Sequence, residues 1–238
     1  DLRLRRLAVE FQWWRPRFIE RVGVNRLTRI EDFDLGPQWR LKLGVAPRLL
    51  GSTTSEGYLK AGLDFGVAAR RAFGILHSSI ETRYRRSPEE TMERLDARWY
   101  EPISDRHLLA LAVLGSAGQN VPRDFQLTAG GLNGLRAYPV HELSGHQLWR
   151  FNAEDRLVGG VLWDLLNVGA AVFYDAARMT GPGVSGSPWR ENAGIGIRLA
   201  FVHSAISDVV RFDVAMPLHP RAGLSRGPVY SLGSNQAF

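Results

Sequence analysis

The chain has 238 residues, a net charge of +6 and no cysteine, so a disulfide framework and a thiolate metal site are both excluded. Hydrophobic residues make up 45%, yet no apolar run reaches the roughly 18 residues of a transmembrane helix. That does not exclude a membrane β-barrel, whose apolar residues alternate with polar ones. The length fits one large β domain or two small ones. With no linker, internal repeat or low-complexity tract, a single domain over 1–238 is expected. The sequence starts at Asp1 without a signal peptide, so a processed or partial chain is expected.

Read in chain order, the sequence offers twelve strand candidates: 4–14, 17–29, 35–47, 57–69, 72–86, 90–102, 105–116, 145–157, 166–178, 192–203, 208–218 and 229–238. The signal is period-two alternation. Leu59, Ala61, Leu63, Phe65 and Val67 oppose Lys60, Gly62, Asp64 and Gly66. Trp149, Phe151 and Ala153 oppose Arg150, Asn152 and Glu154. Val168, Ala170, Val172 and Tyr174 oppose Gly169, Ala171, Phe173 and Asp175, and Val210, Phe212, Val214 and Met216 oppose Arg211, Asp213 and Ala215. One face of each strand is apolar and the other carries charges of both signs. A soluble β-sandwich shares that two-faced pattern. Aromatics near strand ends (Trp13, Trp39, Tyr84, Trp149, Tyr174) favour instead an outward apolar band with aromatic girdles. An even number of antiparallel strands closes without an exposed edge.

Arginine supplies the basic charge, Lys42 and Lys60 being the only lysines. The arginines recur singly within strand-like stretches, among Asp and Glu. This suits a polar interior wall better than a phosphate-tracking patch, and no nucleic-acid partner is expected. The six histidines show no metal-ligand spacing. Gly181-Pro182-Gly183-Val184-Ser185-Gly186 matches G-x-G-x-x-G, but a strand candidate follows it rather than a helix, so it reads as a hairpin loop. His77, Ser79 and Glu81 share one strand face and read as polar wall rather than a catalytic relay. No cofactor, no metal and no enzymatic activity are expected.

The connection from Gly118 to Ser144 is the one long loop, and long loops in compact folds are usually functional. It carries Gly130, Gly131 and Gly134, then Arg136-Ala137-Tyr138. Asn152-Ala153-Glu154-Asp155-Arg156, Phe173-Tyr174-Asp175 and a final strand with Tyr230, Leu232 and the terminal Phe238 follow. In this order, these pieces resemble the C-terminal barrel of the BamA/TamA/two-partner-secretion transporter superfamily of bacterial outer-membrane proteins, also called bacterial surface antigens. The resemblance spans the last part of the chain, from about Gly130.

It implies an all-β, antiparallel transmembrane barrel in the outer membrane of a Gram-negative cell. Such barrels usually have about sixteen strands, so either N-terminal strands lie outside this sequence or this barrel is smaller. The long loop would fold into the lumen. Its Arg136, with Tyr138 beside it, would be held by Glu154 and Asp175 on the inner wall, since a partly desolvated guanidinium needs charge-assisted partners. The residues alone leave another arrangement open: an exposed Arg136, with Glu154 paired to Arg150 or Arg156 and Asp175 to Arg178. The family has Gly after the arginine where this chain has Ala137, so a different loop tip is expected if positive φ is required there. Tyr230, Leu232 and Phe238 would form the terminal signal read by the assembly machinery. The implied function is insertion or translocation of polypeptides across the outer membrane. The implied partners are outer-membrane lipid, client polypeptides, and periplasmic modules or accessory subunits. The alternatives are a barrel that anchors a separate domain such as a patatin-type lipase, and a passive structural pore.

Overall fold

The structure, a computed structural model, describes residues 3–122, 124–131, 133–181, 188–203, 209–219 and 227–238. Arg123 in the long loop and most of the Gly181–Gly186 motif lie outside the described residues. The described strands run in chain order as β1 (Leu7–Trp14), β2 (Phe18–Val22), β3 (Ile30–Asp34), β4 (Gln38–Ala46), β5 (Glu56–Ala69), β6 (Ala72–Tyr84), β7 (Pro88–Ser104), β8 (His107–Gln119), β9 (Leu127–Ala129), β10 (Leu143–Gly145), β11 (Gln147–Leu162), β12 (Leu166–Thr180), β13 (Arg190–Phe201), β14 (Val210–Pro217) and β15 (Val229–Ser234). Among the described residues, helix is limited to one short 3-10 turn at Arg48–Leu50.

Eleven strands form a single antiparallel sheet in the order β1-β4-β5-β6-β7-β8-β11-β12-β13-β14-β15, with β1 and β15 as its edges. Tight turns join β5 to β6, β7 to β8 and β11 to β12 at one end of the sheet, here termed the turn end. The long connection from β8 to β11 leaves from the other, the loop end. Alternation in the sequence becomes alternation in burial. Ala171, Phe173 and Asp175 of β12 are buried, while Val172 between them is 60% exposed. In β13, Arg198 is buried and the neighbouring Ile197 and Ile195 are exposed, the latter 61%. Polar and charged residues therefore occupy the protected face, and apolar ones the open face.

Two expectations about the wall need correction. The segment 17–29 is not a wall strand. It splits into β2 and a turn, and β2 pairs only with β3, from Phe18↔Asp34 to Val22↔Ile30. Wall pairing skips over this hairpin, joining β1 to β4 from Leu7↔Val45 to Trp14↔Gln38. The cause is local. Gly23 has a φ of 73°, and the Glu31 carboxylate accepts the backbone N–H groups of Val24, Asn25 and Arg26 at 3.1, 2.8 and 3.0 Å. Those donors are turned into a loop and lost to any ladder. Among the described residues the large sheet thus has eleven strands, and 17–29 is not one of them. The second correction is at the C-terminus. The last strand ends at Ser234 rather than running to Phe238, because Asn235 sits at a φ of 63° and breaks the extended chain.

The β2–β3 hairpin lies against the protected face at the turn end. Phe33 packs on Phe73 of β6 with ring centroids 4.7 Å apart, and Phe73 stacks on Tyr100 of β7 at 4.9 Å. Val24, Leu35, Leu108 and Ala110 complete this cluster, with Ile19 and Phe238 at its margin. Further along the turn, Leu27 packs with Ala200 and Val209. One short hairpin and its turn thus touch β6, β7, β8 and β13.

Candidate functional site

The long loop is built to return into the protected side. β9 and β10 pair from Leu143↔Ala129 to Gly145↔Leu127 and close its neck. Gly130 and Gly131 then turn the chain sharply. The carbonyl of Gly130 accepts Asn133 N–H at 3.1 Å, and Gly131 N–H donates to the Tyr138 carbonyl at 2.9 Å. Gly134 has a φ of 86° and its missing side chain leaves the space taken by the Arg150 stem, so both backbone freedom and close approach require glycine there. Leu135, Ala137 and Tyr138 are buried against Leu148, Phe173, Ala177, Met179 and Ala215. Ala137 is not among the positive-φ residues, so the tip accommodates alanine without strain.

Arg136 is buried at the centre. Its Nε and Nη2 donate to the two carboxylate oxygens of Asp175 at 2.9 and 2.8 Å, a bidentate fork. Nη1 donates to Glu154 at 3.2 Å and to Asp213 at 3.5 Å. The guanidinium also lies 3.3 Å above the Phe173 ring centroid, a cation–π contact strengthened by desolvation. The exposed alternative for Arg136 is therefore not the arrangement found.

The carboxylates are themselves shared. Arg198 bridges Glu154 at 2.7 Å and Asp213 at 2.6 Å. Arg211 donates to Asp213 at 2.7 Å, and Arg156 lies 3.5 Å from Glu154. Asn152 and Asn192 each donate to Asp175, at 2.7 and 2.8 Å. Asn152 also donates to the Gly134 carbonyl at 3.1 Å, and the Asn192 carbonyl oxygen lies 3.5 Å from Ala137 N–H. The two asparagines thus hold the Asp175 carboxylate and the loop backbone together. Arg136 joins three strands of the sheet, β11 through Glu154, β12 through Asp175 and Phe173, and β14 through Asp213, and Arg198 of β13 closes the circuit between Glu154 and Asp213.

The structure places the four residues named from the sequence as follows. Arg136, Glu154 and Asp175 converge, and Tyr138 is buried beside them with its hydroxyl donating to the Glu191 carbonyl at 3.0 Å. Asp213, Arg198, Arg211 and Asn192 are additions that sequence reading missed as site residues. Parity alone put them on the inner face, but their height along the wall depends on strand register, which alternation does not specify. The terminal residues separate. Tyr230 and Leu232 project from the open face, whereas Phe238 turns inward with its ring 5.2 Å from the Arg156 guanidinium. His77, Ser79 and Glu81 form no relay: His77 Nδ1 lies 2.8 Å from Asp64, and Glu81 is engaged by Tyr58 and Lys60.

The site holds the loop against the sheet. No family model matches this chain, and no curated protein matches it significantly.

Proposed function

We propose that this chain is the wall and lumen loop of a β-barrel in the bacterial outer membrane, and that it serves the insertion or translocation of polypeptides. One observation carries the reading. An eleven-stranded sheet exposes a continuous apolar face while burying a network of arginines and carboxylates on the other. In water, that arrangement is the wrong way round; against lipid tails it is the expected one. Exposed aromatics fall at both ends of the open face, with Trp13, Trp39 and Trp163 at the turn end and Tyr84, Trp149, Trp189 and Tyr230 toward the loop end. These are the positions of interfacial girdles.

The mechanism is physical. An edge strand carries unpaired N–H and C=O groups that template an incoming strand by β-augmentation, and β1 and β15 are the edges here. The lock braces β11 to β14 beside the β15 edge, so that the edge is free to exchange partners while the wall behind it stays in register. A passive pore is the poorer reading, because the lumen loop and the β2–β3 hairpin both occupy the interior side. The test is to fold the chain in detergent and mix it with liposomes. Flotation with the vesicles and heat-modifiable migration on gels are expected. Recovery as a detergent-free soluble monomer would overturn the proposal.

A further inference from the structure

A cavity of about 560 Å³ opens at the turn end, between the β2–β3 hairpin and the turns that join β5 to β6 and β7 to β8. Its size falls within the roughly 300–1,000 Å³ of small-ligand sites. Glu20 and Arg21 of the hairpin, Arg70 and Arg71 of the first turn, and Ser104 and Asp105 at the second all line it. Arg71 is matched: it pairs with Asp105 at 2.7 Å and ties the two turns together. Arg21 is fixed by backbone rather than by charge. Its Nε donates to the Arg71 carbonyl at 3.3 Å and its Nη1 to the Glu20 carbonyl at 2.8 Å, and its guanidinium lies 5.7 Å from the Phe73 ring centroid. Among the described residues, neither Arg21 nor Arg70 has a carboxylate within ion-pair distance. Arg70 also carries a backbone cost. Its φ is 55°, a left-handed position that tight turns ordinarily give to Gly or Asn. An arginine held there is strained, and strain kept at a turn points to a use for its side chain.

We infer that this cavity binds a small hydroxylated phosphomonoester, with its phosphate between Arg21 and Arg70. The inference goes beyond the insertion or translocation reading and does not rest on it. Charge decides the class. Two guanidinium groups without carboxylate partners match a phosphomonoester, which carries about two negative charges at neutral pH, and the guanidinium fork suits phosphate oxygens. Ser104 adds a donor: its Oγ accepts Arg106 N–H at 3.3 Å, which leaves the hydroxyl proton for the anion. Glu20, in no ion pair among the described residues, accepts from a ligand hydroxyl, and Val22 and Ile30 give the ligand's carbon frame an apolar side. A neutral polyol would leave both arginines uncompensated, and bare phosphate would leave Glu20 facing an anion with no donor between them.

The experiment titrates the full chain, folded in detergent or in buffer if it is recovered soluble, with glycerol 3-phosphate, glycerol or inorganic phosphate by isothermal titration calorimetry. Glycerol 3-phosphate should bind about tenfold or more tightly than inorganic phosphate, and glycerol should give no heat. Arg21 also holds the hairpin to Arg71, so Arg21→Gln would mix binding with folding, and Arg70→Asn carries the test. Asn accepts the left-handed backbone and removes the cation. Arg70→Asn should therefore weaken glycerol 3-phosphate binding about tenfold while its thermal midpoint stays equal to or above that of wild type. A turn residue with no ligand would change the midpoint and leave binding alone. An Arg70→Asn protein that binds like wild type, or that loses thermal stability along with binding, would overturn the assignment. Glycerol 3-phosphate that binds no more tightly than inorganic phosphate would also overturn it, by showing an anion site with no organic ligand. Flotation with liposomes has no bearing on these titrations, so this inference and the membrane reading fail separately.

Discussion

Arg156 donates from Nη1 to the backbone carbonyl of Val24 at 2.8 Å, across 132 residues of sequence. Both partners are buried. An arginine in the middle of the charged network is thus also the tether of the β2–β3 hairpin, so the two structures that lie against the protected face, the hairpin and the long loop, share one set of charges through Glu154. At the other end of the same hairpin, Arg17 Nη2 donates to the Gly66 carbonyl at 2.9 Å and Gly66 N–H to the Leu35 carbonyl at 3.0 Å.

This tethering predicts that the hairpin is released when its anchors are cut. Phe33→Ala removes the contacts to Phe73 and Tyr100 and should destabilise the hairpin by about 2–3 kcal/mol, somewhat below the 3–5 kcal/mol of a fully buried aromatic. Limited trypsin digestion should then cut at Arg26 or Arg29 several-fold faster than in wild type. Arg156→Met should act in the same direction. Unchanged cleavage rates in both variants would show that the hairpin is held by other contacts.

The lock makes a sharper prediction about partners. From the Arg136 side chain, Asp175 receives two hydrogen bonds and Glu154 receives one. In double-mutant cycles the coupling of Arg136 to Asp175 should therefore exceed that of Arg136 to Glu154. Arg136→Ala strands buried carboxylates and should cost about 3–5 kcal/mol. Arg136→Lys should recover less than half of this, since an ammonium cannot form the fork. Arg71→Ala, which removes only an exposed pair with Asp105, should cost less than about 1 kcal/mol. Urea denaturation in detergent micelles measures all of these. Additivity in the Arg136/Asp175 cycle would dissolve the claim that they are partners.

Two glycines separate packing from conformation. A Cβ on Gly196 would run into the Asp213 carboxylate and the Arg198 guanidinium, with the Phe212 carbonyl at 2.9 Å, whereas Gly160 has nothing within 4 Å. Gly196→Ala should disrupt the Arg198–Asp213 bridge and cost about 2 kcal/mol or more. Gly160→Ala should be neutral to within about 0.5 kcal/mol. Equal melting temperatures for the two variants would contradict the described packing.

Acid should loosen the join between β1 and the hairpin. At Asp34, desolvation pushes the pKa up, but the backbone N–H groups of Arg17 and Gly36 and the Trp14 indole outweigh it, holding the carboxyl below the ordinary aspartate value. A depressed pKa stabilises the fold above the unfolded-state value, and that contribution is lost as pH falls below it and through the folded value. Tryptic cleavage at Arg15 or Arg17, measured after a brief acid pulse, should rise below about pH 4 in wild type. In Asp34→Asn the rate should already be raised at neutral pH and show little further change. A wild-type profile that stays flat into acid would count against this account.

The sequence by itself determined the two faces of the wall. Period-two alternation needs no partner to be read, and it placed Glu154, Asp175 and Asp213 inward with Val172, Ile195 and Phe212 outward. The long loop is different: its residues alone left an exposed Arg136 open, its inward return was implied only by the resemblance, and the structure buries Arg136 against Asp175 and Glu154. Tertiary structure alone decided the rest. The segment 17–29 reads as a wall strand, and the left-handed turn at Gly23, with the capture of three backbone N–H groups by Glu31, takes it out of the wall. The additional members of the lock, Arg198, Arg211, Asp213 and Asn192, meet Arg136 because of strand register, and register is set by pairing between strands rather than by the pattern within one. Phe238 fits the alternation of a terminal strand as well, yet the left-handed turn at Asn235 carries it to the interior, where Phe73, Tyr100 and Arg156 offer an aromatic and cationic surface that no local pattern announces.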